Sequence, residues 1–373
     1  PDGIWTAPSD ADLKRDIELS QAAGFNGARL HQKVFEPRFL YWADKLGYLV
    51  WGEFPNWGVN VSNPQTSCPI IQEWQEILRR DRNHPSIVGW CPFNESAPEA
   101  GEVQKTTVLL TRMMDPTRPV LETSGWTHTI KDPEVMDAHD YDQNPDSFRK
   151  RYEDMFCRQS LPTRHGFAEN KNIPFFISEY GGIGWFKNKD QAWGYGNNPT
   201  TLEEFYTRYE GLTNALLDNR YMFGFCYTQL TDIEQERNGI YYYDRTHKFD
   251  TAKLHAINSR KAQYEINPPL NVEQNKASHW KVLIGANPDK ELSSPWRYTT
   301  DQPEENWNQS GFNDTGWQVG KSAFGKKEGS DRYIQTPWDT ADIYLRQTFT
   351  CESVKFKTAA LIIHYDNDTE VYV

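Results

Sequence analysis

Two glutamates in this chain each close an apolar, strand-like run. Glu95 lies in Val88-Gly-Trp-Cys-Pro-Phe-Asn-Glu-Ser96, and Glu179 lies in Pro174-Phe-Phe-Ile-Ser-Glu-Tyr-Gly-Gly182. Cleavage of a glycosidic bond needs two carboxyl groups, one to protonate the leaving oxygen and one to attack the sugar or activate water. The acids are far apart in sequence, so only the fold can pair them. The pattern predicts a glycosidase that uses Glu95 and Glu179.

Strand-like and helix-like segments alternate through the first 267 residues. The predicted helices are 9–23, 37–46, 71–82, 102–115, 145–158 and 201–218, and the predicted strands are 26–31, 48–53, 86–93, 118–124, 135–140, 174–179 and 222–228. This alternation is typical of a parallel sheet, and polar residues at the carboxyl ends of the strands favour a (β/α)8 TIM barrel. Because the segment opens on loop and helix, we expect the first barrel strand to be missing from it. An open doubly wound sheet would need a glycine-rich phosphate turn, which the sequence lacks.

The character of the sequence changes after the predicted barrel domain, residues 1–267. A polar stretch that starts at Pro268-Pro269 predicts a linker over 268–277. From 278 to 373, short alternating runs rich in Trp, Tyr and Thr are broken by Gly, Asp, Asn and Pro, which is typical of a β-sandwich. The last run ends within a strand pattern, so this α/β barrel is expected to be followed by a truncated jelly-roll domain.

Composition excludes several classes of function. The net charge is −12 with no basic stretch, so nucleic acid is not an expected partner. No apolar run approaches the ~20 residues of a membrane span, so no membrane partner is expected. Five widely spaced cysteines, without a Cys-x-x-Cys pair or a His cluster, predict neither a disulfide framework nor a zinc site. Cytoplasmic, periplasmic and secreted locations stay open, as does assembly into a homo-oligomer.

Three strand-end motifs occur in the order Arg29-x-His31, Asn94-Glu95-Ser96 and Ser178-Glu179-Tyr180-Gly181. Together they resemble glycoside hydrolase family 2, which contains β-galactosidases, β-glucuronidases and β-mannosidases. The resemblance covers about residues 1–267 and implies a TIM-barrel catalytic domain. Residues 280–373, with Phe312-Asn-Asp-Thr-Gly-Trp317, resemble the galactose-binding-like jelly-roll modules of that family. A fragment of a larger enzyme is therefore expected.

The resemblance implies a role for each motif. Glu95 is the expected general acid/base, and Glu179 the nucleophile that forms a glycosyl-enzyme ester. Asn94 is expected to bond the sugar 2-hydroxyl. Ordinary structural roles are the alternatives: a helix cap for Glu95, a salt bridge for Glu179 and a turn for Asn94.

Further positions are implied to contact the substrate. Arg29 would keep the nucleophile ionised, His31 would bind a sugar hydroxyl, and Tyr141, which follows His139 and Asp140, would hydrogen-bond the nucleophile. Four aromatic side chains are candidate sugar platforms, with packing in core or loop as the alternative: Tyr227, Trp126, Trp185 and Trp193.

Substrate identity is the least determined property. Glucuronidase-like members carry an Asn-x-Lys clamp for the sugar carboxylate, whereas this chain has Glu236-Arg-Asn238 there. Galactose therefore ranks first, ahead of mannose or another sugar, with an oligo- or polysaccharide as the partner. Some β-galactosidases use a glutamate at the place of Glu53 as a magnesium ligand, but the companion histidine is Pro55 here, so no metal or other cofactor is expected. A non-catalytic carbohydrate-binding protein is the alternative class.

Overall fold

The computed structural model describes residues 7, 9–130, 133–157, 160–163, 166–169, 173–186, 192–267, 294–326, 334–349 and 369–372. The chain divides into two compact units, Pro1–His279 and Trp280–Val373. The predicted linker at 268–277 lies outside the described residues. No helix in the described ranges has the length and apolar character needed to cross a membrane.

Helices and strands alternate through most of the first unit. The helices are α1 Asp10–Ala22, α2 Pro37–Leu46, α3 Pro64–Asp81, α4 Gly101–Met114, α5 Pro145–Cys157, α6 Leu202–Leu217, α7 Thr251–Asn258 and α8 Gln263–Ile266. The strands are β1 Gly27–Arg29, β2 Leu49–Glu53, β3 Ile87–Cys91, β4 Met136–Asp140, β5 Ser160–Thr163, β6 Gly166–Glu169, β7 Phe175–Gly181 and β8 Met222–Thr228. Helix α3 begins seven residues before its predicted start, because the Asn63 side chain caps it by accepting from the Gln65 N–H.

The strands form two parallel three-stranded sheets, ordered β1-β2-β3 and β4-β7-β8. The predicted strand 118–124 is not a continuous strand, and the backbone bridges Trp90↔Val120 and Asn94↔Ser124 tie it to β3 and the residues after it. On the other side of this segment, side-chain carboxylates accept the hydrogen bonds that the backbone of a neighbouring strand would have accepted. The Val120 N–H donates to Glu134 Oε2 at 2.9 Å, and the Gly125 N–H donates to Asp137 Oδ2 at 2.9 Å. The antiparallel pair β5–β6 was not predicted.

Large rings fill the space between the two sheets. Trp51 of β2 stacks on Phe176 of β7 with ring centroids 5.4 Å apart. Position 89 must be glycine, because a Cβ there would lie 2.3 Å from the Trp51 ring. Every residue of β7 is buried, as expected of a central strand in a parallel sheet covered on both faces. This packing fixes the strand whose end carries Glu179.

The late segments of the first unit pack back on α1. The Asn258 side chain donates to Ala23 O at 2.8 Å, and Arg245 forms an ion pair with Asp16 at 2.9 Å. Tyr241 donates its hydroxyl proton to Leu19 O at 2.9 Å. These contacts tie the loop after β8, and α7, to the first helix of the unit.

The second unit contains an antiparallel sheet in the order β10-β9-β13, together with a short parallel pair, β11 and β12. The strands are β9 Pro295–Thr299, β10 Gln318–Lys321, β11 Phe324–Gly325, β12 Thr336–Pro337 and β13 Tyr344–Arg346. Arg346 lies over the Phe312 ring and pairs with Asp314 at 3.0 Å. A complete β-sandwich remains a prediction.

Candidate active site

The two glutamates lie at the carboxyl ends of β3 and β7. One carboxylate oxygen of Glu95 and one of Glu179 lie within 4.8 Å of each other. Carboxyl groups of retaining glycosidases are about 5–5.5 Å apart, whereas inverting enzymes need about 6.5–9.5 Å to seat a water molecule. The observed spacing fits the retaining class.

A β-bulge aims Glu179 at its neighbours. Along the β4–β7 ladder Ala138 pairs with Ile177, but His139 pairs with Glu179, so Ser178 is the extra residue. Bulges commonly redirect side chains beside active sites. Here the bulge places the Glu179 carboxylate beside the His139 ring, with Oε2 3.3 Å from Nδ1.

Cations surround the Glu179 carboxylate. Arg29 forms a charge-assisted hydrogen bond to Oε1, and the Tyr141 hydroxyl donates to Oε2. Burial alone would raise the pKa of Glu179, but Arg29, His139 and His31 outweigh it, and with the Tyr141 hydrogen bond they lower this pKa to about 2. Glu179 is therefore an ionised carboxylate throughout the neutral range.

Glu53 holds Arg29 in place. Arg29 Nε lies 3.0 Å from Glu53 Oε2, and the Arg29 side chain is only 4% exposed. Nδ1 of His31 lies 2.6 Å from Arg29 Nη2 and 3.1 Å from Glu53 Oε1. The His31 side chain is 46% exposed, so its ring can contact a substrate. The buried Arg29 side chain instead contacts the Glu179 carboxylate.

Glu95 adopts an unusual backbone conformation. Its φ of 49° lies in the left-handed region, which is uncommon for a residue other than glycine and recurs at functional sites. The Glu95 N–H donates to Ser124 O at 2.8 Å and holds this turn. A cleft of about 540 Å³, lined by residues 56–62 and by Glu95, opens beside the carboxyl group.

Asn94 lines the same cleft and carries a buried side-chain amide. Its backbone is fixed by Asn56, which accepts from the Asn94 N–H at 2.7 Å and donates to its carbonyl at 3.0 Å. The side chain is buried, and among the described residues neither Oδ1 nor Nδ2 has a hydrogen-bond partner. A buried amide without a partner costs free energy, so a ligand hydroxyl that satisfies it would bind favourably.

Tyr141 contacts both the Glu179 carboxylate and another aromatic ring. Its hydroxyl lies 3.3 Å from Thr228 Oγ1 in addition to the Glu179 contact, and its ring stacks on Tyr195 with a centroid distance of 3.4 Å. Burial, reinforced by the Glu179 charge, raises the pKa of Tyr141 well above its ordinary value. Tyr141 is therefore a lasting hydrogen-bond donor to Glu179.

The four candidate platforms differ in exposure and in packing. Tyr227 is 9% exposed and accepts from the Ile183 N–H at 3.1 Å, so its ring belongs to the core. Trp185 packs on Phe205 and Phe249. Trp126 is half-buried, and Trp193 is 47% exposed with its edge against Tyr195. Sugar contacts by these rings remain predictions.

Several residues at the site were not predicted. His139 contacts both glutamates, Tyr195 stacks on Tyr141, and Trp57 stands 63% exposed at the cleft beside Glu95. For His139 the sequence carried a signal, the alternation of side chains along β4. Residues two apart share a face of a strand, so Asp137 and His139 point to the same face.

Glu95, His139 and Glu179 also form the one convergent group of metal-ligating side chains found in the described part of the chain. His139 Nδ1 already lies 2.8 Å from Glu95 Oε1 and 3.3 Å from Glu179 Oε2. The group consists of the glutamate pair and the histidine between them, so it is not a separate site.

The family model described as "Glycosyl hydrolases family 2, TIM barrel domain" matches residues 7–260. The chain belongs to glycoside hydrolase family 2. Its similarity to β-glucuronidase of Rattus norvegicus is 34% identity over 116 residues, 29% of this chain and 18% of that protein. Its similarity to β-galactosidase of Vibrio cholerae is 30% identity over 128 residues, 32% of this chain and 12% of that protein. The match thus spans less than a fifth of either relative.

Solved family 2 structures share the barrel. A β-D-glucuronidase of Dictyoglomus thermophilum aligns with a TM-score of 0.56 at 19% identity, over 68% of this chain and 48% of that one. A β-galacturonidase of Eisenbergiella tayi aligns with a TM-score of 0.55 at 18% identity, over the same shares of the two chains. At such identities the likeness shows the fold, and with the family match it confirms the predicted TIM barrel.

Proposed function

We propose that this chain supplies the catalytic domain of a retaining exo-β-glycosidase, which removes a terminal β-linked sugar. The observation that carries the proposal is the glutamate pair, whose oxygens lie within 4.8 Å of each other at the ends of β3 and β7. The low pKa of Glu179 and the cleft beside Glu95 support different roles for the two acids.

The reaction proceeds in two displacements. Glu179 attacks the anomeric carbon and forms an ester while Glu95 gives its proton to the departing oxygen. Glu95 then removes a proton from water, which attacks the same carbon and releases the sugar with its β configuration retained. In this proposal Tyr141 and Arg29 orient the nucleophile, and the Asn94 amide, which has no partner among the described residues, bonds the sugar 2-hydroxyl.

The leaving group departs on the side of Glu95. The adjacent cleft of about 540 Å³ therefore suits the aglycone, because the acid must reach the oxygen that joins it to the sugar. The exposed ring of Trp57 offers a flat apolar face in this cleft. Aromatic and glycosyl leaving groups both fit this chemistry.

Likeness favours a uronide as the sugar. The similar proteins are mainly uronidases, with one β-galactosidase among them. They do not support the expectation that galactose ranks ahead of glucuronic acid. A β-glucuronide is the first candidate.

One observation favours an uncharged sugar such as a β-galactoside as the second candidate. Glu236 occupies the place where the uronate clamp is expected, and it accepts from Asn238 Nδ2 at 2.9 Å. Burial, together with the charge of Glu179, raises the pKa of Glu236, which thus lies in the field of the site. An ionised carboxylate there would oppose a sugar carboxylate.

A substrate panel tests both parts of the proposal. The full-length protein is assayed with aryl β-D-glucuronide, β-D-galactoside, β-D-mannoside and β-D-glucoside, and the first-formed anomer is followed by NMR. We expect the β-anomer from the best substrate. Inversion, or hydrolysis of none of them, contradicts the retaining mechanism, whereas the identity of the best substrate decides between the two sugars.

A further inference from the structure

His139 lies between the two glutamates. Its Nδ1 atom is 2.8 Å from Glu95 Oε1 and 3.3 Å from Glu179 Oε2, and its side chain is 5% exposed. A ring nitrogen and a carboxylate oxygen at 2.8 Å must have a proton between them, because two facing lone pairs would repel each other. The contact between His139 and Glu95 therefore holds a proton.

Ser124 indicates which histidine tautomer is present. His139 Nε2 lies 2.9 Å from Ser124 Oγ, and the same hydroxyl lies 3.0 Å from Ser178 Oγ and 3.2 Å from Asp137 Oδ2, to which Ser178 also donates. A hydroxyl donates preferentially to a carboxylate, since charge-assisted hydrogen bonds are the stronger ones. The Ser124 lone pairs then accept from Arg29 Nη1 and from the His139 Nε2–H. With one proton on Nε2, the proton at Nδ1 is additional to those of a neutral imidazole.

We propose that His139 and Glu95 jointly hold the proton that is delivered to the leaving group, with His139 as a positioning residue for the general acid. The inference rests on the proposed function, because it assigns a source for the proton of that reaction. One proton leaves the pair for the glycosidic oxygen as the C–O bond breaks and the Glu179 ester forms. One proton returns from the attacking water as the ester opens.

Charged groups face the His139 ring on both of its nitrogens. The carboxylates of Glu95 and Glu179 face Nδ1, and Asp137 acts on Nε2 through Ser124. Arg29 opposes them, with Nη1 3.4 Å from Nε2. Asp137 also pairs with His128, and Arg29 pairs with Glu53 as well as with Glu179, so the charged groups around the ring form one network.

The fold provides a seat for this ring. Gly125 has a φ of +88°, and a Cβ at that position would lie 2.8 Å from His139 Cε1 and Nδ1. The Gly125 N–H donates to the same Asp137 carboxylate that faces Ser124. The glycine thus admits the ring and helps to hold the carboxylate that fixes its tautomer.

The test compares wild type with His139→Asn in the full-length protein, on two glycosides of the same sugar. A 2,4-dinitrophenyl leaving group needs no acid, whereas a methyl leaving group needs one. For the variant we expect kcat/KM on the methyl glycoside to fall by about 10²-fold or more, and on the dinitrophenyl glycoside by less than about tenfold. The alkaline limb of the pH profile should move to lower pH. Equal losses on both substrates with an unmoved limb would show a purely structural role and overturn the inference.

A second measurement observes the protonation of the wild-type His139 ring directly. ¹⁵N NMR of histidine-labelled wild type, with His139→Asn for assignment, should show Nε2 protonated and an Nδ1 signal that titrates along the alkaline limb. A neutral ring with the proton on Nδ1 and a bare Nε2 overturns the inference. His247→Asn is the matched control, since exposed His247 bonds Thr251 instead, and its pH profile should match wild type.

Failure of this inference is distinguishable from failure of the proposed function. If Glu179→Gln keeps wild-type turnover, the retaining mechanism is wrong and the His139 role falls with it. If Glu179→Gln is inactive while His139→Asn behaves as wild type on both leaving groups, only the role of His139 is refuted.

Discussion

The surroundings of Glu179 and Glu95 differ although both acids close parallel strands. Glu179 receives Arg29 and Tyr141 on its two oxygens, on a strand whose every residue is buried. Glu95 stands on a left-handed turn beside an open cleft, and His139 is the one ring directly bonded to its carboxyl group among the described contacts. The different neighbours of two identical side chains are the basis for the proposed roles, a fixed anion at Glu179 and a proton carrier at Glu95.

Removal of the anion should have the largest effect. Glu179→Gln keeps the shape of the side chain but cannot form the ester, so we expect kcat to fall by at least about 10⁴-fold on every glycoside. Steady-state assays with matched active-site concentrations measure the loss. Glu102→Gln is the control, since its exposed side chain pairs only with Lys105 in the described contacts. Turnover near wild type in Glu179→Gln would remove Glu179 from the mechanism.

Removal of the proton carrier should be costly only where a proton is needed. Glu95→Ala should lower kcat/KM on a methyl glycoside by about 10²- to 10⁴-fold. Activity on a dinitrophenyl glycoside should be rescued by azide, which attacks the glycosyl-enzyme without base assistance and gives a β-glycosyl azide. Glu99→Ala changes another acid of the same cleft and should show neither effect. Absence of rescue would mean that Glu95 is misassigned.

Arg29 should set the acidic limb of activity. The pKa of Glu179, about 2 instead of its usual 4.5, depends on the Arg29 charge to overcome burial. In Arg29→Gln this pKa should rise by about 1–3 units, so the nucleophile is protonated at higher pH and the acid limb moves upward. Arg29→Lys keeps the charge and should move the limb much less. An acid limb that is the same in both variants would show that Arg29 does not control Glu179.

The lowered pKa of Glu179 also predicts how the stability of the protein depends on pH. A carboxyl group whose pKa is lowered by folding stabilises the protein above its unfolded pKa, and this stabilisation is lost as pH falls through the folded value. For Glu179 the contribution is present above about pH 4.5 and disappears toward pH 2. Arg29→Gln should therefore unfold at a higher pH than wild type in an acid titration followed by circular dichroism.

Much of this arrangement could be predicted from local sequence pattern. The apolar runs that end at Glu179 and lead to Glu95 mark strands, and the alternation of helices and strands identifies the barrel. Interactions between distant residues could not be predicted in this way. The segment 118–124 has an extended pattern, yet Glu134 and Asp137 take N–H groups that a neighbouring strand would have used. The site partners His139 and Tyr195 likewise follow from strand register and loop position, which the sequence leaves open.

The smallest predicted effect concerns the cleft that opens beside Glu95. Trp57→Ala removes the exposed ring there, so KM for an aryl or disaccharide substrate should rise by about 2- to 10-fold, as expected from about 0.5–1.5 kcal/mol of ring contact. The KM of the methyl glycoside should stay unchanged, because its leaving group cannot reach the ring. Tyr41→Ala, which removes another exposed ring on α2, is the matched control. Equal changes for large and small leaving groups would place the Trp57 effect on the sugar itself, and the cleft would then not be the aglycone side.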